Sequence, residues 1–479
     1  MSLDAGTRAA ILAAGHDPDR IGAAIERLLH PATFTYLNRP ATVGDGILSL
    51  SDALADAAEQ AYAAASGAGR VSCFVPASGA ASRMVATLKD AWSTGKRDLD
   101  ASWGTAEDAK RVVRYAESLA IWPELVHFGA RAHDAGSILD AMFGPHGMAL
   151  DKRPKGLVTF HRGEDTPRTA IVEHLHETRA LVAQGPVRLH VTVSDAHQDA
   201  FAEAIQAADV DVIVDFSTQD PSTDMPSLQD GAPARDEAGT LRFRPGGHGA
   251  LLKNLGAVGG DVVLLKNIDN VVPDSGRASV LAWRRRLAGL LTLVQGEAHA
   301  HVRALRQGAT TADARAFAAR WLQVVLPDDA PTVRARLDRP WRVCGMVPND
   351  GQPGGGPFWA VAHGEVSLQI VESSQVDSTN GQQREILHAS THFNPVELAL
   401  GLRDADGRPH ELTAFVDPDA SIVTDRTQGG HRLRYIEHPG LWNGSMAGWN
   451  TLFVEVPPDT FAPVKALSDL LHAAHGGPL

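Results

Sequence analysis

The sequence predicts a doubly wound α/β fold, because strand-like and helix-like segments alternate along much of the chain. The clearest unit is the apolar run RVSCFVP at 70–76, followed by a loop of small residues at 76–82 and a helical pattern at 83–92. The chain of 479 residues is long enough for two or three domains or one enlarged α/β domain. In such a fold, ligand chemistry gathers at the carboxyl ends of the strands.

The other elements follow from the spacing of the apolar residues. Helical patterns are predicted at 4–30, 50–65, 169–182, 196–208, 278–326 and 464–474, with further helices and loops over 96–151. Strand patterns are predicted at 157–160, 188–193, 210–216, 262–265, 341–347, 358–362, 367–371 and 451–456. The long helical stretch at 278–326 is predicted to be an insertion into the α/β pattern.

Composition and charge exclude several classes of protein. Lysine and arginine number 44 and aspartate and glutamate 57, so the formal net charge is 44 − 57 = −13. This sign argues against nucleic acid or an anionic membrane as the main partner, although a local cationic pocket for a small phosphate ligand remains compatible with it. With 44% hydrophobic and 21% charged residues, the chain has the composition of a folded globular protein.

The cysteines and the N-terminus indicate the compartment. Cys73 and Cys344 are the two cysteines and form no CxxC motif, which argues against a disulfide framework or a structural zinc site. The first twenty residues contain acids and only a short apolar run, so they do not resemble a signal peptide, and no segment reaches membrane-spanning length. We therefore expect a cytoplasmic protein of enzyme size.

The loop after the first strand is a candidate anion site. Small side chains let backbone N–H groups approach an anion at the start of a helix, and an arginine one turn later reaches the same place. The residues are Ala77, Ser78, Gly79, Ala80 and Arg83. The alternative is a tight turn whose small residues serve packing. The segment is not a P-loop, because GxxxxGK[ST] is absent.

Three charged residues at strand or helix ends are candidates for phosphate and metal binding. Lys155 stands in RPKG, Asp269 in NIDN directly after the strand at 262–265, and Lys465 in FAPVK before the last helix. An acid at the carboxyl end of a central strand suits a hard divalent cation, with substrate phosphates as further ligands. The alternatives are an exposed basic turn, an N-cap or turn aspartate, and a solvated lysine.

A glycine-rich loop and two polar clusters complete the candidates. Gly247, His248 and Gly249 open a predicted helix at 251–255, and they bring backbone and an imidazole close to a flat or anionic group. The alternative is a glycine-rich loop with a solvated histidine. Glu372 stands in VESSQ, and the segment 390–395 reads STHFNP. Acid, amide and hydroxyl groups in this mixture suit sugar hydroxyls, or else they cap ordinary loops.

Taken in order, these segments resemble the nucleotide-sugar pyrophosphorylases, the UTP-dependent uridylyltransferases that act on glucose 1-phosphate or N-acetylglucosamine 1-phosphate. Their first loop, GG-x-G-T-[RS]-[LM], is matched by ASGAASRM at 77–84, and their PGHG loop by PGGHG at 245–249. Their P-K, NIDN and F-x-P-[LV]-K motifs are matched at 154–155, 267–270 and 461–465. The first loop departs from theirs, since Gly79 is its single glycine. The sequence also resembles an uncharacterised bacterial family that shares FVPASGAASRM and GLWNGSMAGWNT.

The resemblance implies a glycosyltransferase-A-like, Rossmann-like nucleotidyltransferase fold and a transfer from UTP to a sugar 1-phosphate. It assigns the triphosphate to Arg83, Lys155 and the loop at 77–80, Mg²⁺ to Asp269, and the sugar phosphate to Lys465. It assigns the base and ribose to the loop at 247–249. The sugar contacts fall on Glu372, Thr391 and Asn394.

The implied domains are a helical segment over 1–66, a nucleotidyltransferase-like domain over 67–425 and a C-terminal segment over 426–479. The helical insertions fall near 93–150 and 277–338. Two alternatives remain open. One is a glycosyltransferase with a nucleotide-sugar donor, which typically uses an Asp-x-Asp pair that Asp269-Asn270-Val271 does not provide. The other is a non-catalytic nucleotide- or sugar-binding relative, which the glycine-poor first loop favours.

Overall fold

The structure is a computed structural model that describes residues 3–30, 34–95, 107–164, 166–182, 185–237, 239–351, 355–362, 364–428 and 430–479. Residues 96–106, at the start of the stretch of helices and loops predicted over 96–151, therefore lie outside the described residues. Within the described residues, a ten-stranded mixed sheet is the largest element. The chain divides into two compact units, each built from segments distant in sequence.

The first unit comprises Met1–Ala63, Thr218–Val263 and Leu287–Val456. Its helices, two of which extend past a unit boundary, are Ala5–Ala13, Pro18–Leu29, Asp52–Gly67, Leu252–Gly256, Arg277–Arg306, Ala312–Trp321, Ala330–Leu337 and Gly381–His388. Its strands are Leu37–Pro40, Thr42–Val43, Gly46–Leu48, Met225–Gln229, Ala232–Pro233, Phe243–Arg244, Trp341–Pro348, Gly355–Ala362, Glu365–Glu372, His392–Phe393, Glu397–Gly401, Ile422–Gln428, His431–Glu437 and Asn450–Glu455. The strand Val262–Lys266 crosses a unit boundary.

The centre of the first unit is the buried strand Trp341–Pro348. It pairs in parallel with Asn450–Glu455 and antiparallel with Glu397–Gly401, and these two strands are almost entirely buried as well. Strands buried on both faces consist of mostly apolar runs rather than alternating ones, and WRVCGMV and TLFVEV follow this pattern apart from Arg342, Thr451 and Glu455.

The second unit comprises Ala64–Ser217, Leu264–Arg286 and Pro457–Leu479. Its helices are Ala86–Ser93, Glu107–Arg114, Trp122–His127, Ala135–Phe143, Ala170–Leu181 and Gln198–Ala208. Its strands, the last of which ends one residue past the unit boundary, are Val71–Pro76, Thr159–Arg162, Pro167–Thr169, Arg188–Val193 and Ile213–Thr218. Val71–Pro76 pairs in parallel with Arg188–Val193, as a strand–helix–strand crossover requires.

Several predicted strands belong to small separate sheets. The segments at 358–362 and 367–371 are parts of Gly355–Ala362 and Glu365–Glu372, which form an antiparallel hairpin. The segment at 157–160 overlaps Thr159–Arg162, which pairs with Pro167–Thr169 in a two-stranded sheet. Short apolar runs identify a strand but not its partner, because pairing depends on contacts far away in sequence.

Three predicted helical segments were wrong in their extent. The segment 278–326 divides into Arg277–Arg306 and Ala312–Trp321. The segment 4–30 divides into Ala5–Ala13 and Pro18–Leu29, because Gly15 adopts φ +82° and Asp17 caps a second helix that begins with proline. The segment 464–474 contains only short 3-10 turns, Leu467–Leu471 and Ala473–His475. Lys465 therefore lies in a bend before the first of these turns and not on a helix.

Candidate functional site

The predicted phosphate loop and the predicted basic turn lie side by side in the second unit. The Ala81 N–H donates to the carbonyl of Arg153 at 2.9 Å, and the Lys155 N–H donates to the carbonyl of Gly79 at 3.0 Å. Ser78, Gly79, Ala80 and Arg83 are exposed, whereas Ala77 is fully buried and packs in the core. The loop thus presents three small residues and one arginine to solvent, with Lys155 held at its edge.

Asp269 lies between two lysines that are far from it in sequence. The Nζ atoms of Lys155 and Lys465 stand 2.8 Å and 3.1 Å from its Oδ2 atom. Asp269 itself is 7% exposed. Its other oxygen, Oδ1, is buried and has no hydrogen-bond partner among the described residues. We call Lys155, Asp269 and Lys465 the charged triad, and all three belong to the second unit.

Backbone contacts fix Lys465 beside Asp269. The Val464 N–H donates to the carbonyl of Asp269 at 2.9 Å, and the Ala462 N–H donates to the side-chain oxygen of Asn270 at 3.1 Å. On the other side of Lys465, the Oδ2 atom of Asp469 accepts from the Lys465 N–H at 2.6 Å. We did not predict the roles of Asn270 and Asp469 from the sequence. The signal for Asp469 was an acid four residues after the lysine, which is a common capping distance.

The triad carries a net positive charge, since two ammonium groups and one carboxylate give 2 − 1 = +1. Burial works to raise the pKa of Asp269, but the attraction of Lys155 and Lys465 outweighs it and the pKa lies below its usual value. Burial lowers the pKa of Lys155, and Asp269 offsets only part of that effect. A cationic cluster with one ionised carboxylate attracts an anion rather than an isolated cation.

A buried ion network fixes the strand end that carries Asp269. Glu177 accepts from the Nζ atom of Lys266 at 2.9 Å and also pairs with Arg284, and all three side chains are at most 2% exposed. Burial favours the neutral form of Glu177, but the two cations outweigh it and hold the pKa at about 2. His174 bonds the carbonyl of Ile268 at 3.2 Å, and its burial lowers the pKa to about 4. The neutral imidazole thus donates to the residue next to Asp269.

Asp269 by itself offers one oxygen to a Mg²⁺ ion that arrives with substrate phosphates and takes most of its ligands from them and from water. The buried, unpartnered Oδ1 atom of Asp269 is a hard carboxylate donor of the type this ion prefers. The described residues contain no group of three or more histidines, cysteines or acids placed to hold a metal. Asp269 would therefore be a single protein ligand, as in sites where phosphate oxygens supply the others.

The glycine-rich loop of the first unit is packed against the segment 437–441. A Cβ on Gly249 would lie 2.0 Å from the carbonyl oxygen of Pro439, and Gly247 adopts φ +75° beside Glu437. The His248 ring stacks on the Trp442 ring, with 4.1 Å between the ring centroids. Its Nδ1 atom accepts from the Leu441 N–H at 2.9 Å. Close packing therefore accounts for these glycines, and their role toward a nucleotide stays a prediction.

The predicted sugar-contacting residues also lie in the first unit. Glu372 caps the turn Ser373–Gln375, and Thr391 Oγ1 lies 2.8 Å from Nδ1 of the neighbouring His392. Asn394 is 2% exposed, and its Oδ1 atom accepts from the Val396 N–H at 3.0 Å. The Nδ2 atom of Asn394 is buried without a hydrogen-bond partner among the described residues. The sugar-binding role of the three residues stays a prediction.

Comparison with known proteins places the chain in a family. The sequence model of a protein family, "Domain of unknown function (DUF4301)", matches residues 6–476. The chain belongs to this family. This DUF4301 chain matches no curated protein. Within the described residues, none of its helices combines the length and apolar character needed to cross a membrane.

Solved structures resemble the DUF4301 chain at low identity. The UDP-N-acetylglucosamine pyrophosphorylase of Trypanosoma brucei, in complex with an inhibitor, is 14% identical over 98% of this chain and 79% of that one, with a TM-score of 0.50. A UDP-glucose phosphorylase of Trypanosoma brucei is 13% identical over 98% and 78%, with a TM-score of 0.47. The structural similarity to the first of these proteins shows a shared fold, and the predicted α/β fold class is confirmed.

Proposed function

We propose that this protein is a nucleotidyltransferase that joins a nucleoside triphosphate, UTP in the first instance, to a sugar 1-phosphate and releases pyrophosphate. The observation that carries the proposal is the charged triad beside the exposed loop Ser78–Ala80. The three residues of the triad come from three motifs, the outer two 114 + 196 = 310 residues apart in the sequence, and the loop is a fourth motif of the same compact unit. A fold shared with a UDP-sugar pyrophosphorylase is consistent with the same chemistry.

The reaction needs alignment and neutralisation of charge rather than a general base. A phosphate oxygen of the sugar 1-phosphate attacks the α-phosphorus of the triphosphate, and the bond from that phosphorus to the bridging oxygen of the β-phosphate breaks. The nucleophile is already an anion, so no proton has to be removed. We assign Arg83 and Lys155 to the triphosphate and Lys465 to the sugar phosphate. Backbone N–H groups of the small-residue loop would add neutral donors.

Asp269 has two roles in this proposal. Without ligand it holds the ammonium groups of Lys155 and Lys465 together by ion pairs. Its Oδ1 atom would hold Mg²⁺, which when bound neutralises phosphate charge and aligns the reacting oxygens. Because Oδ2 already pairs with the two lysines, binding of phosphates at Lys155 and Lys465 would release that oxygen. The carboxylate therefore serves to keep the lysines in position until substrate replaces it.

A product-resolved screen tests the proposal. UTP, GTP, CTP, ATP and dTTP are each incubated with glucose 1-phosphate, N-acetylglucosamine 1-phosphate and other common sugar 1-phosphates in the presence of Mg²⁺, and pyrophosphate is measured. We expect pyrophosphate release with at least one pair, and its loss in Asp269→Asn. Release of nucleoside diphosphate from a nucleotide sugar would instead identify a glycosyltransferase. Tight UTP binding without turnover of any pair would identify a non-catalytic relative.

A further inference from the structure

Two arginines line a cavity in the first unit, outside the charged triad. Arg336 and Arg339 lie at the end of the helix Ala330–Leu337 and line a cavity of about 310 Å³. Arg336 is 9% exposed, yet its guanidinium forms no hydrogen bond or ion pair with a described residue. Arg339 reaches the carbonyl of Gly448 at a long 3.5 Å. The nitrogen atoms of Arg336 keep some accessible surface where the side chain lines the cavity, and no described residue supplies an acceptor for them. A largely buried arginine without a protein partner is uncommon.

This arrangement costs stability unless something else pairs with the arginines. Burial, with a smaller contribution from the nearby Arg339, lowers the pKa of Arg336 to about 10, although Glu365 opposes both effects. Arg336 therefore still carries its charge at neutral pH. Desolvation of a charge is unfavourable, and a second positive charge beside it adds repulsion. An oxyanion would remove both penalties, because it supplies the acceptors that the guanidinium groups lack.

The cavity walls suit a small anion with an apolar body. Ser367 and Phe415 line the 310 Å³ cavity, and they provide a hydroxyl and an aromatic ring. A neighbouring cavity of about 610 Å³ shares Arg336, Arg339 and Glu365 and has Trp359 and several aliphatic side chains in its wall. Glu365 is exposed to solvent and acts on the arginines only as a nearby charge. The three charged side chains that the two cavities share sum to 2 − 1 = +1. Arg39 also lines the larger cavity, where it lies over the Trp359 ring and pairs with Asp45.

The cavity lies at the edge of the sheet where parallel strands begin. Arg339 precedes the strand Trp341–Pro348 by two residues, and Gly448 precedes its parallel partner Asn450–Glu455 by two. Ligands of open α/β sheets bind outside the carboxyl ends of the strands. The carboxyl end of Trp341–Pro348 is the opposite end, where Pro348 pairs with His392, the neighbour of the predicted sugar-contacting residue Thr391. The phrase GLWNGSMAGWNT, at 440–451, supplies the wall residues Ala447 and Gly448.

We propose that Arg336 and Arg339 form a second anion site, which binds a small molecule with a phosphate or carboxylate group and an apolar body. The oxyanion accepts hydrogen bonds from both guanidinium groups, and the apolar part enters the larger cavity beside Trp359. The site does not require the transferase activity proposed above. Its position at the strand N-termini suits an effector rather than a substrate.

Binding of simple anions tests the proposal. Inorganic phosphate, acetate, phenyl phosphate and benzoate are titrated into the full chain by calorimetry, and the melting temperature is followed in parallel. We expect saturable binding of phosphate, carboxylate or both, with the phenyl-bearing anion binding more tightly than its parent. Arg336→Met should weaken it by roughly tenfold or more, because a charge-assisted pair is lost. Glu365→Gln should tighten anion binding by roughly fivefold, because it removes a negative charge that repels the anion.

Three variants distinguish binding at this site from binding elsewhere on the chain. Arg334→Gln, on the same helix but outside both cavities, should bind as the wild type does. Lys465→Ala should remove any binding at the charged triad and leave the Arg336-dependent binding intact. Without ligand, Arg336→Met should melt no lower than the wild type, since it removes an uncompensated buried charge. If that variant misfolds, Arg339→Gln takes its place in the titration.

Two results would overturn the proposal. One is the absence of saturable binding of all four anions to the wild type. The other is unchanged affinity in both Arg336→Met and Arg339→Gln, which would place any anion elsewhere.

Discussion

Replacement of Asp269 by asparagine tests both the stability and the chemistry of the charged triad. The change removes one negative charge and keeps an oxygen that accepts a hydrogen bond. The ammonium group of Lys155, on a side chain only 15% exposed, then has no neutralising partner in the triad. Lys465, at 60% exposed, is hydrated and loses little. We therefore attribute most of the effect to the pair of Asp269 with Lys155.

The magnitude follows from the burial of that pair. Removing one partner of a buried ion pair costs about 3–5 kcal/mol, and the retained acceptor and the partial exposure of Lys155 reduce our expectation to about 2–3 kcal/mol. Urea denaturation at neutral pH measures this value. Asp211→Asn is the matched control, because the Asp211 side chain is 92% exposed and should change stability by less than about 1 kcal/mol.

The pH dependence provides a second measure of the same pair. The pKa of Asp269 is below its usual value in the folded chain, so its stabilisation is present above the unfolded pKa of about 3.9 and is lost as the pH falls through the folded value. Asp269→Asn should remove this contribution to the fall in unfolding free energy at acid pH. The Asp269→Asn variant should still fold. In the pyrophosphate assay it should lose Mg²⁺-dependent turnover. A stability within about 0.5 kcal/mol of wild type, or unchanged turnover, would refute the reasoning.

Three further predictions concern other residues. Lys465→Ala should raise the KM for the sugar 1-phosphate more than that for UTP; equal effects would argue against its assigned role. Burial lowers the pKa of His475 to about 3, so urea denaturation should show stability decreasing below about pH 6.5, by about 1.4 kcal/mol per pH unit for this residue, and His475→Gln should flatten that slope. Burial raises the pKa of the Cys344 thiol to about 12, so a thiol reagent should label it only after denaturation, and rapid labelling of the native chain would contradict its burial.

The sequence was most informative where a segment is buried on both sides. The runs at 71–76 and 341–347 are mostly apolar and almost entirely buried, and each is a strand within one residue of the predicted limits. Such runs are recognisable because burial on both faces favours apolar residues at consecutive positions. The helix predicted at 464–474 failed for the opposite reason. In that segment Pro463 forms a β-bridge with Asn270, and the side chain of Asp469 accepts from the Lys465 N–H. These contacts, and not helix propensity, determine the backbone conformation.

Motif order identified Lys155, Asp269 and Lys465 as separate candidates, and the fold brings both ammonium groups within 3.1 Å of one carboxylate oxygen. No local sequence pattern predicts that contact, because the two lysines are 114 and 196 residues from Asp269 in the chain. The same holds for Arg336, which is an ordinary arginine in a helix until the fold buries most of its side chain in a cavity wall without a partner among the described residues. Residue types and the periodicity of apolar positions are local properties, and these the sequence specifies directly. Which charges meet, and which are left buried without a counterion, depends on distances that exist only once the chain is folded.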